Sequence, residues 1–331
     1  MDLSTTYMGL KLSHPFMPGA SPLVDDLDMV KRLEDAGAAA IVMHSLFEEQ
    51  IRREQVAAFL HTEVHGESYA EALYYFPSPD RFALGPEEYL RQLARIKGTV
   101  AVPVIASLNG STPGGWLEYA AAMEQAGADA IELNVYALPT DMEVGAQEVE
   151  DRTVEMLRTV KQRARVPVAV KLSPFYTAPA HFARRLGDAG ADALVLFNRF
   201  YQPDIDPDRL DVSRQLALSD PAELPLRLRW LAILSGRLPC SLAVSGGVHG
   251  AVDAVKAIMA GAHAVQMVSS LLRRGPEHLR RVREETVAWM EEHEYSSLQE
   301  MRGSMGLEAC PDASVYERAN YMLMLQGWNA V

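Results

Sequence analysis

Lys171 sits near the end of an otherwise apolar run, Val168-Ala169-Val170-Lys171-Leu172-Ser173. A cation there can stabilise negative charge that develops on a reduced flavin, an enolate or a bound carboxylate. It could instead form a Schiff base. Other apolar runs stop in the same way, at Ala20-Ser21, His44-Ser45, Ser107-Leu108-Asn109, Asn134, Asn198, Ser245-Gly246-Gly247 and Ser269-Ser270. Polar groups converging from many elements are what a small-molecule site requires. Gly246 and Gly247 let backbone N–H groups approach an anion, and Ser269 and Ser270 add hydroxyl donors, so this last pair of positions suits a phosphate.

The elements that position these residues show in a repeat. One phrase occurs four times, as AGAAAIVMH from Ala36, AGADAIELN from Ala126, AGADALVLF from Ala189 and AGAHAVQMV from Ala260. Each follows a stretch with apolar spacing of three and four, the mark of an amphipathic helix. The glycine reads as a helix C-cap, and the short β-branched run after it as a buried strand. A second phrase alternates with the first: a proline and then a short apolar run, from Pro15, Pro103, Pro167 and Pro239. Proline suits a strand start, where its missing N–H matters least.

Eight strands alternating with helices predict a closed (β/α)8 TIM barrel in one domain, residues 1–331, with an open doubly wound sheet as the competing arrangement. Excess length after strands 2, 4 and 6 places insertions at about 46–85, 136–150 and 199–219, on the face that carries barrel active sites. The first contains a predicted helix, FEEQIRREQ. The third reads as a turn-rich polar loop around Pro203 and Pro207. Residues 276–303 predict a long and a short helix, and the tail from Gly306 is expected to pack back on the barrel.

Composition narrows the function. Lys and Arg number 31 against 44 Asp and Glu, a net charge of −13 that argues against nucleic-acid binding. A phosphate held by backbone N–H groups and serines needs no basic patch. Two cysteines, Cys240 and Cys310, cannot build a disulfide framework, a Cys₄ zinc site or a four-thiolate iron–sulfur cluster. His61 and His65 flank Glu63 but form no helix-borne metal motif, so no metal is expected. No run of 18 apolar residues and no signal-peptide pattern is present, so a cytoplasmic protein without a membrane span is expected.

The chain resembles the soluble dihydroorotate dehydrogenases. The best matches are IELNV from Ile131, VPVAVKLSP from Val166, LSDPAELPLRLR from Leu218, the long run SGGVHGAVDAVKAIMAGAHAVQMVSSLL from Ser245, and EEHEYSSLQEMRG from Glu291. The resemblance implies FMN as cofactor and a homodimer. Ala20 and Ser45 would contact the flavin or its ribityl chain, and Asn134 and Lys171 the isoalloxazine edge. Gly246, Gly247, Ser269 and Ser270 would hold the phosphate, with Asn109 and Asn198 completing the cofactor-binding set.

The departures bear on substrate. The family's catalytic Cys or Ser after strand 4 is Ala137 here, which cannot accept a proton. The family's lysine after strand 2 is His44, and its Asn-rich substrate loop reads Tyr74-Tyr75-Phe76-Pro77-Ser78-Pro79-Asp80. A site that loses its hydrogen-bonding partners usually loses that ligand. The expectation is therefore an FMN-dependent oxidoreductase that moves hydride between FMN and a small CH–CH substrate other than dihydroorotate. His44, Tyr136 and Asp141 are the candidate proton-handling groups beside Lys171, histidine having the ordinary titration nearest neutrality. Lys171→Ala is expected to impair flavin reduction more than folding. Two alternatives are a true dihydroorotate dehydrogenase with a substituted base, and an electron-transfer or partner-binding flavoprotein. In either case electrons leave to an external acceptor or electron-transfer protein.

Overall fold

The helices Leu27–Asp35, Pro113–Gln125, Pro179–Asp188 and Ala251–Met259 end just before Gly37, Gly127, Gly190 and Gly261. These glycines have φ of +90°, +99°, +98° and +121°, a region that other residues enter only with strain. Each Ala-Gly pair thus reverses the chain from helix into strand. The computed structural model describes residues 1–47, 86–109, 113–135, 138–199, 202–213 and 217–316.

Among the described residues, twelve strands follow in chain order. They are β1 (Thr5–Tyr7), β2 (Leu10–Leu12), β3 (Phe16–Pro18), β4 (Ile41–Phe47), β5 (Val104–Asn109), β6 (Ala130–Asn134), β7 (Val168–Leu172), β8 (Ala193–Leu196), β9 (Asp204–Asp206), β10 (Asp211–Ser213), β11 (Ser241–Ser245) and β12 (Ala264–Met267). Eight of them form one sheet in the order β3-β12-β11-β8-β7-β6-β5-β4, each neighbour parallel to the next. The two end strands meet where Ala39 N–H donates to Phe16 O at 3.0 Å. The sheet is therefore a nearly closed (β/α)8 TIM barrel, as the repeat predicts, and not an open doubly wound sheet.

The two phrases bond to each other at the strand starts. Prolines 15, 103 and 167 give no N–H, but their carbonyls accept from Val265, Ile41 and Ile131 at 2.8–2.9 Å. The next residue after Pro103, Val104, donates to Asp129 Oδ2 at 2.7 Å, and Val168 after Pro167 donates to Asp192 Oδ2 at 2.7 Å. Each of those aspartates also binds a lysine, Lys97 or Lys161, at 2.6 Å. In the fourth repeat His263 takes the aspartate's place, and its Nδ1 accepts from Leu242 N–H at 3.2 Å.

Below the barrel lies a hairpin the sequence reading does not anticipate. β1 and β2 pair antiparallel through Met8 and Gly9, both at positive φ, the turn that matches strand twist. Tyr7, Met8 and Leu12 are buried against small lumen residues Ala130, Ala169, Ala193, Ala243 and Ala264. The alanines leave room for the hairpin to plug the barrel floor.

Three boundaries move. β4 continues to Phe47, past the expected strand end at Ser45, with a bulge between Val42 and Ser45. The rest of the first insertion, including most of its predicted helix, lies outside the described residues. The second insertion already contains the start of the helix Ala146–Lys161. The third is not only a loop: β9 and β10 form an antiparallel hairpin within it. Its turn is held by Asp206 Oδ1, which accepts from Asp208 and Arg209 N–H. The helices Glu277–Glu292 and Leu298–Met301 match the expectation for 276–303. Past Gly306, Leu307 N–H donates to Ala232 O at 2.8 Å, so this part of the tail does return to the barrel.

Two structural histidines make stability pH-dependent. Burial, with nearby Arg283, pushes His14 down to about 4, and burial, with nearby Arg302, does the same to His263. Both rings hold a strand N–H through Nδ1, His14 from Phe16 at 3.2 Å. A folded-state value below the unfolded 6.5 means their contribution is complete above pH 6.5 and is lost as pH falls toward 4. The melting temperature is expected to fall through that window. A His14→Asn/His263→Asn chain, whose amides can accept the same N–H but do not titrate, should show a flatter profile by calorimetry.

Candidate active site

Side chains two residues apart on β6 and β7 point into the lumen and climb from apolar to polar. Ala130 and Ala169 form the floor, Glu132 and Lys171 the middle, and Asn134 the rim. Lys171 does not reach out to solvent. It is 4% exposed, and its Nζ donates to Glu132 Oε1 and to Gln266 Oε1, both at 3.2 Å. Gln266, on β12, returns its amide N–H to Glu132 Oε2 at 2.5 Å. Glu132 and Gln266 are fully buried, so three strands are tied by one closed polar triangle. Burial of both charges is tolerable because they face each other and both carboxylate oxygens accept a hydrogen bond.

A second chain of hydrogen bonds crosses the rim. Ser45 Oγ lies 2.7 Å from Ser107 Oγ and accepts from Asn134 Nδ2 at 3.1 Å. Asn198 Nδ2 donates to Asn134 Oδ1 at 2.7 Å. Asn109 pairs in register with Asn134 across β5 and β6. Four of the predicted positions, Ser45, Asn109, Asn134 and Asn198, therefore share one arc above Lys171. Ala20 is partly buried at the end of β3, and Ser21 beside it is buried with no partner for Oγ.

The predicted phosphate positions have a distinct construction. Gly246 and Gly247 have φ of +87° and +80°. A Cβ at Gly247 would lie 2.7 Å from Leu224 N, and one at Gly246 would lie 2.7 Å from Arg227 Nη2, so only glycine fits this turn. Arg227 is 4% exposed behind the loop, donating to Ser245 O at 2.5 Å and to Glu223 O at 2.7 Å. Burial lowers its guanidinium's affinity for its proton, while Glu223 opposes that effect. Ser269 Oγ accepts from Ser219 N–H at 3.0 Å and from Ser219 Oγ at 2.9 Å. Its own proton thus remains available to a ligand. Ser270 Oγ is buried and has no partner.

The proton-handling candidates separate. The bulge in β4 turns His44 away from the lumen chain, edge-on to Tyr89 with ring centroids 5.4 Å apart. Its Nδ1 lies 2.5 Å from Asp25 Oδ1, a close approach without hydrogen-bond alignment. Asp141 is exposed and accepts from Glu143 N–H, holding its own turn. Tyr136, with Ala137, lies outside the described residues. No cluster of three metal-ligating side chains occurs among the described residues, and no helix there is long and apolar enough to cross a membrane.

The sequence reading missed Glu132, Gln266, Ser219 and Arg227. The first two carried a signal: each is polar within a buried apolar strand. Arg227 carried none, since its role depends on a loop 18 residues away.

Comparison with known proteins places the chain. The dihydroorotate dehydrogenase family model matches residues 83–290, more than half of the chain. The chain belongs to the dihydroorotate dehydrogenase family. A Thermoplasma acidophilum protein named dihydroorotate dehydrogenase B (NAD(+)), catalytic subunit, is 30% identical over 91% of this chain and 98% of its own length. The Thermoplasma volcanium protein of the same name is 29% identical with the same coverage. A third of that name, from Methanocella arvoryzae, is 31% identical over 82% of this chain and 87% of its own length. The matched region holds β5 through β12, and with them the Glu132–Lys171–Gln266 triangle and the glycine–serine loops.

The triangle changes what a lysine substitution reports. Lys171→Met leaves Glu132 buried without its counter-charge and should cost about 3–5 kcal/mol. Adding Glu132→Gln removes the orphaned charge and should restore most of that loss. Urea denaturation of the two chains measures the difference. Equal stability of single and double variants would mean that Glu132 does not carry a charge in the folded protein.

Proposed function

We propose that this chain is an FMN-dependent oxidoreductase of the dihydroorotate dehydrogenase type, acting on a small CH–CH substrate other than dihydroorotate. The observation that carries the cofactor is the pair of orphaned hydroxyls, Ser21 and Ser270, at neighbouring strand ends beside the Gly246–Gly247 turn. Buried polar atoms without partners are costly, and a ligand that supplies acceptors removes the cost. The residues present therefore suit a phosphorylated flavin. Gly246, Gly247, Ser269 and Ser270 would hold its phosphate, with Arg227 adding positive charge behind the loop. Ala20, Ser45, Asn109, Asn134 and Asn198 would line the flavin.

Bound FMN would supply the hydride acceptor. Lys171 would face it with a charge already oriented by Glu132 and Gln266, so little reorganisation is needed as negative charge develops. The arc of Ser45, Ser107, Asn134 and Asn198 would orient flavin or substrate. A substrate proton would pass to a loop side chain, for which Tyr136 is the candidate the sequence leaves, since His44 is turned toward Asp25 and Tyr89. Electrons would leave to an external acceptor or an electron-transfer protein.

The change of substrate rests on Ala137 at the position of the family's base and on the altered 74–80 loop. The names of the relatives favour a second reading, true dihydroorotate oxidation through a substituted base.

Two measurements separate these. The purified protein, alone or with added FMN, should show a flavin spectrum, and millimolar dihydroorotate should leave it unbleached under anaerobic conditions. Bleaching would establish the second reading, and a protein that takes up no FMN would reject both. Ser270→Ala should weaken FMN binding by about tenfold, the worth of one hydrogen bond to a charged group. Because that hydroxyl has no protein partner, the FMN-free protein should keep its stability.

A further inference from the structure

At the opposite end of the barrel, a groove of about 920 Å³ runs between the β1–β2 hairpin and the strand starts. Thr5, Lys11, Asp192, Cys240, His263 and Arg302 are among its walls. Its size falls in the range of metabolite sites. It lies across the lumen from the proposed flavin site and plays no part in that reading.

Arg302 is the unusual member. It follows the helix Leu298–Met301, and its guanidinium has five N–H donors. One of these, on Nη2, goes to Thr5 Oγ1 at 3.0 Å. The Nε is buried and has no partner. Among the described residues Arg302 forms no ion pair, and burial depresses its proton affinity with no carboxylate opposing that effect. Arg302 is half-buried, whereas the fully buried cations have partners: Lys171 has Glu132, and Arg227 has Glu223. A charge drawn partly out of water without a counter-charge is unfavourable and persists where something offsets it.

Among the described residues, no neighbour has a free counter-charge to offer. Asp192 is in the groove, but its carboxylate already holds Lys161 at 2.6 Å and Val168 N–H at 2.7 Å. His263 is held neutral by its own burial, and its Nδ1 is spent on Leu242 N–H. Cys240 is also kept protonated, its thiol pushed up to about 12 by burial. Lys11 is exposed on the groove wall, a second cation. Thr5 has its hydroxyl engaged with both Arg302 and His263 O, which fixes the guanidinium in place.

We infer that this groove on the N-terminal face of the barrel binds a small oxyanion-bearing ligand, phosphoryl or carboxylate, with Arg302 as its anchor and Lys11 as its outer contact. A planar guanidinium with most donors unspent matches two oxygens of either group side by side. Thr5 acts as a positioning residue.

Titration calorimetry of the full chain with inorganic pyrophosphate, and separately with citrate, tests this at constant ionic strength. Binding of either is expected, with Arg302→Gln and Lys11→Ala each weakening it by about tenfold or more. Pyrophosphate alone binding identifies a phosphoryl ligand, and citrate alone a carboxylate. Binding to the flavin loops would survive in Arg302→Gln, so failure of the flavin reading does not imitate this result. Lys11 is exposed, so its variant decides the matter should Arg302→Gln not fold. No binding of either anion, equal binding by wild type and variants, or the same heat from sodium chloride would overturn the site.

Discussion

The closed triangle of Glu132, Lys171 and Gln266 is the constraint on which the upper half of this barrel depends. Two opposite charges sit in a lumen that water scarcely reaches, and neither is tolerable there alone. Their geometry ties β6, β7 and β12 together. Everything apolar lies below it, where the alanine floor meets the plug of Tyr7, Met8 and Leu12. The rim chain of Ser45, Ser107, Asn134 and Asn198 lies above it. A lysine with two fixed acceptors is stiff, and that stiffness suits a cation whose task is to meet charge developing at one place.

The same logic explains the two ends of the barrel. At the top, glycines at positive φ bring Leu224 and Arg227 against the loop, and serines are left with unspent hydroxyl capacity. At the bottom, Asp129, Asp192 and His263 take up the first strand N–H groups, so the repeat unit closes its own hydrogen bonds. Arg302 stands apart from this accounting, a buried donor with capacity left over. Orphaned donors on opposite faces of one barrel point to two separate ligand sites.

Much of the fold was legible because the repeat encodes it locally. An amphipathic helix, an Ala-Gly cap and a β-branched run form one unit, and each glycine cap has the conformation the motif demands. The β1–β2 hairpin was less visible, since its signal is a single Gly9 in a two-residue turn between three-residue strands. The hairpin in the third insertion was hidden by prolines and aspartates that read equally well as a loop. At the site, Lys171, Asn134 and the glycine–serine pairs were found because polar residues interrupt apolar strands. His44 satisfied that pattern too, yet a bulge in β4 turned it toward Asp25 and Tyr89.

By itself the sequence determined the barrel, its eight-fold alternation and the strand ends at which ligand-facing groups stand. Periodicity and turn chemistry are local, so they survive in a linear reading. Only the tertiary structure decided which polar groups neutralise one another. Whether Lys171 is free or paired depends on residues 39 and 95 positions away in the chain. Whether Arg302 is paired depends on where the acids of the described residues stand in space, and Asp192, which shares its groove, is paired with Lys161 instead. Charge compensation depends on distances in space, and those exist only once the barrel has closed.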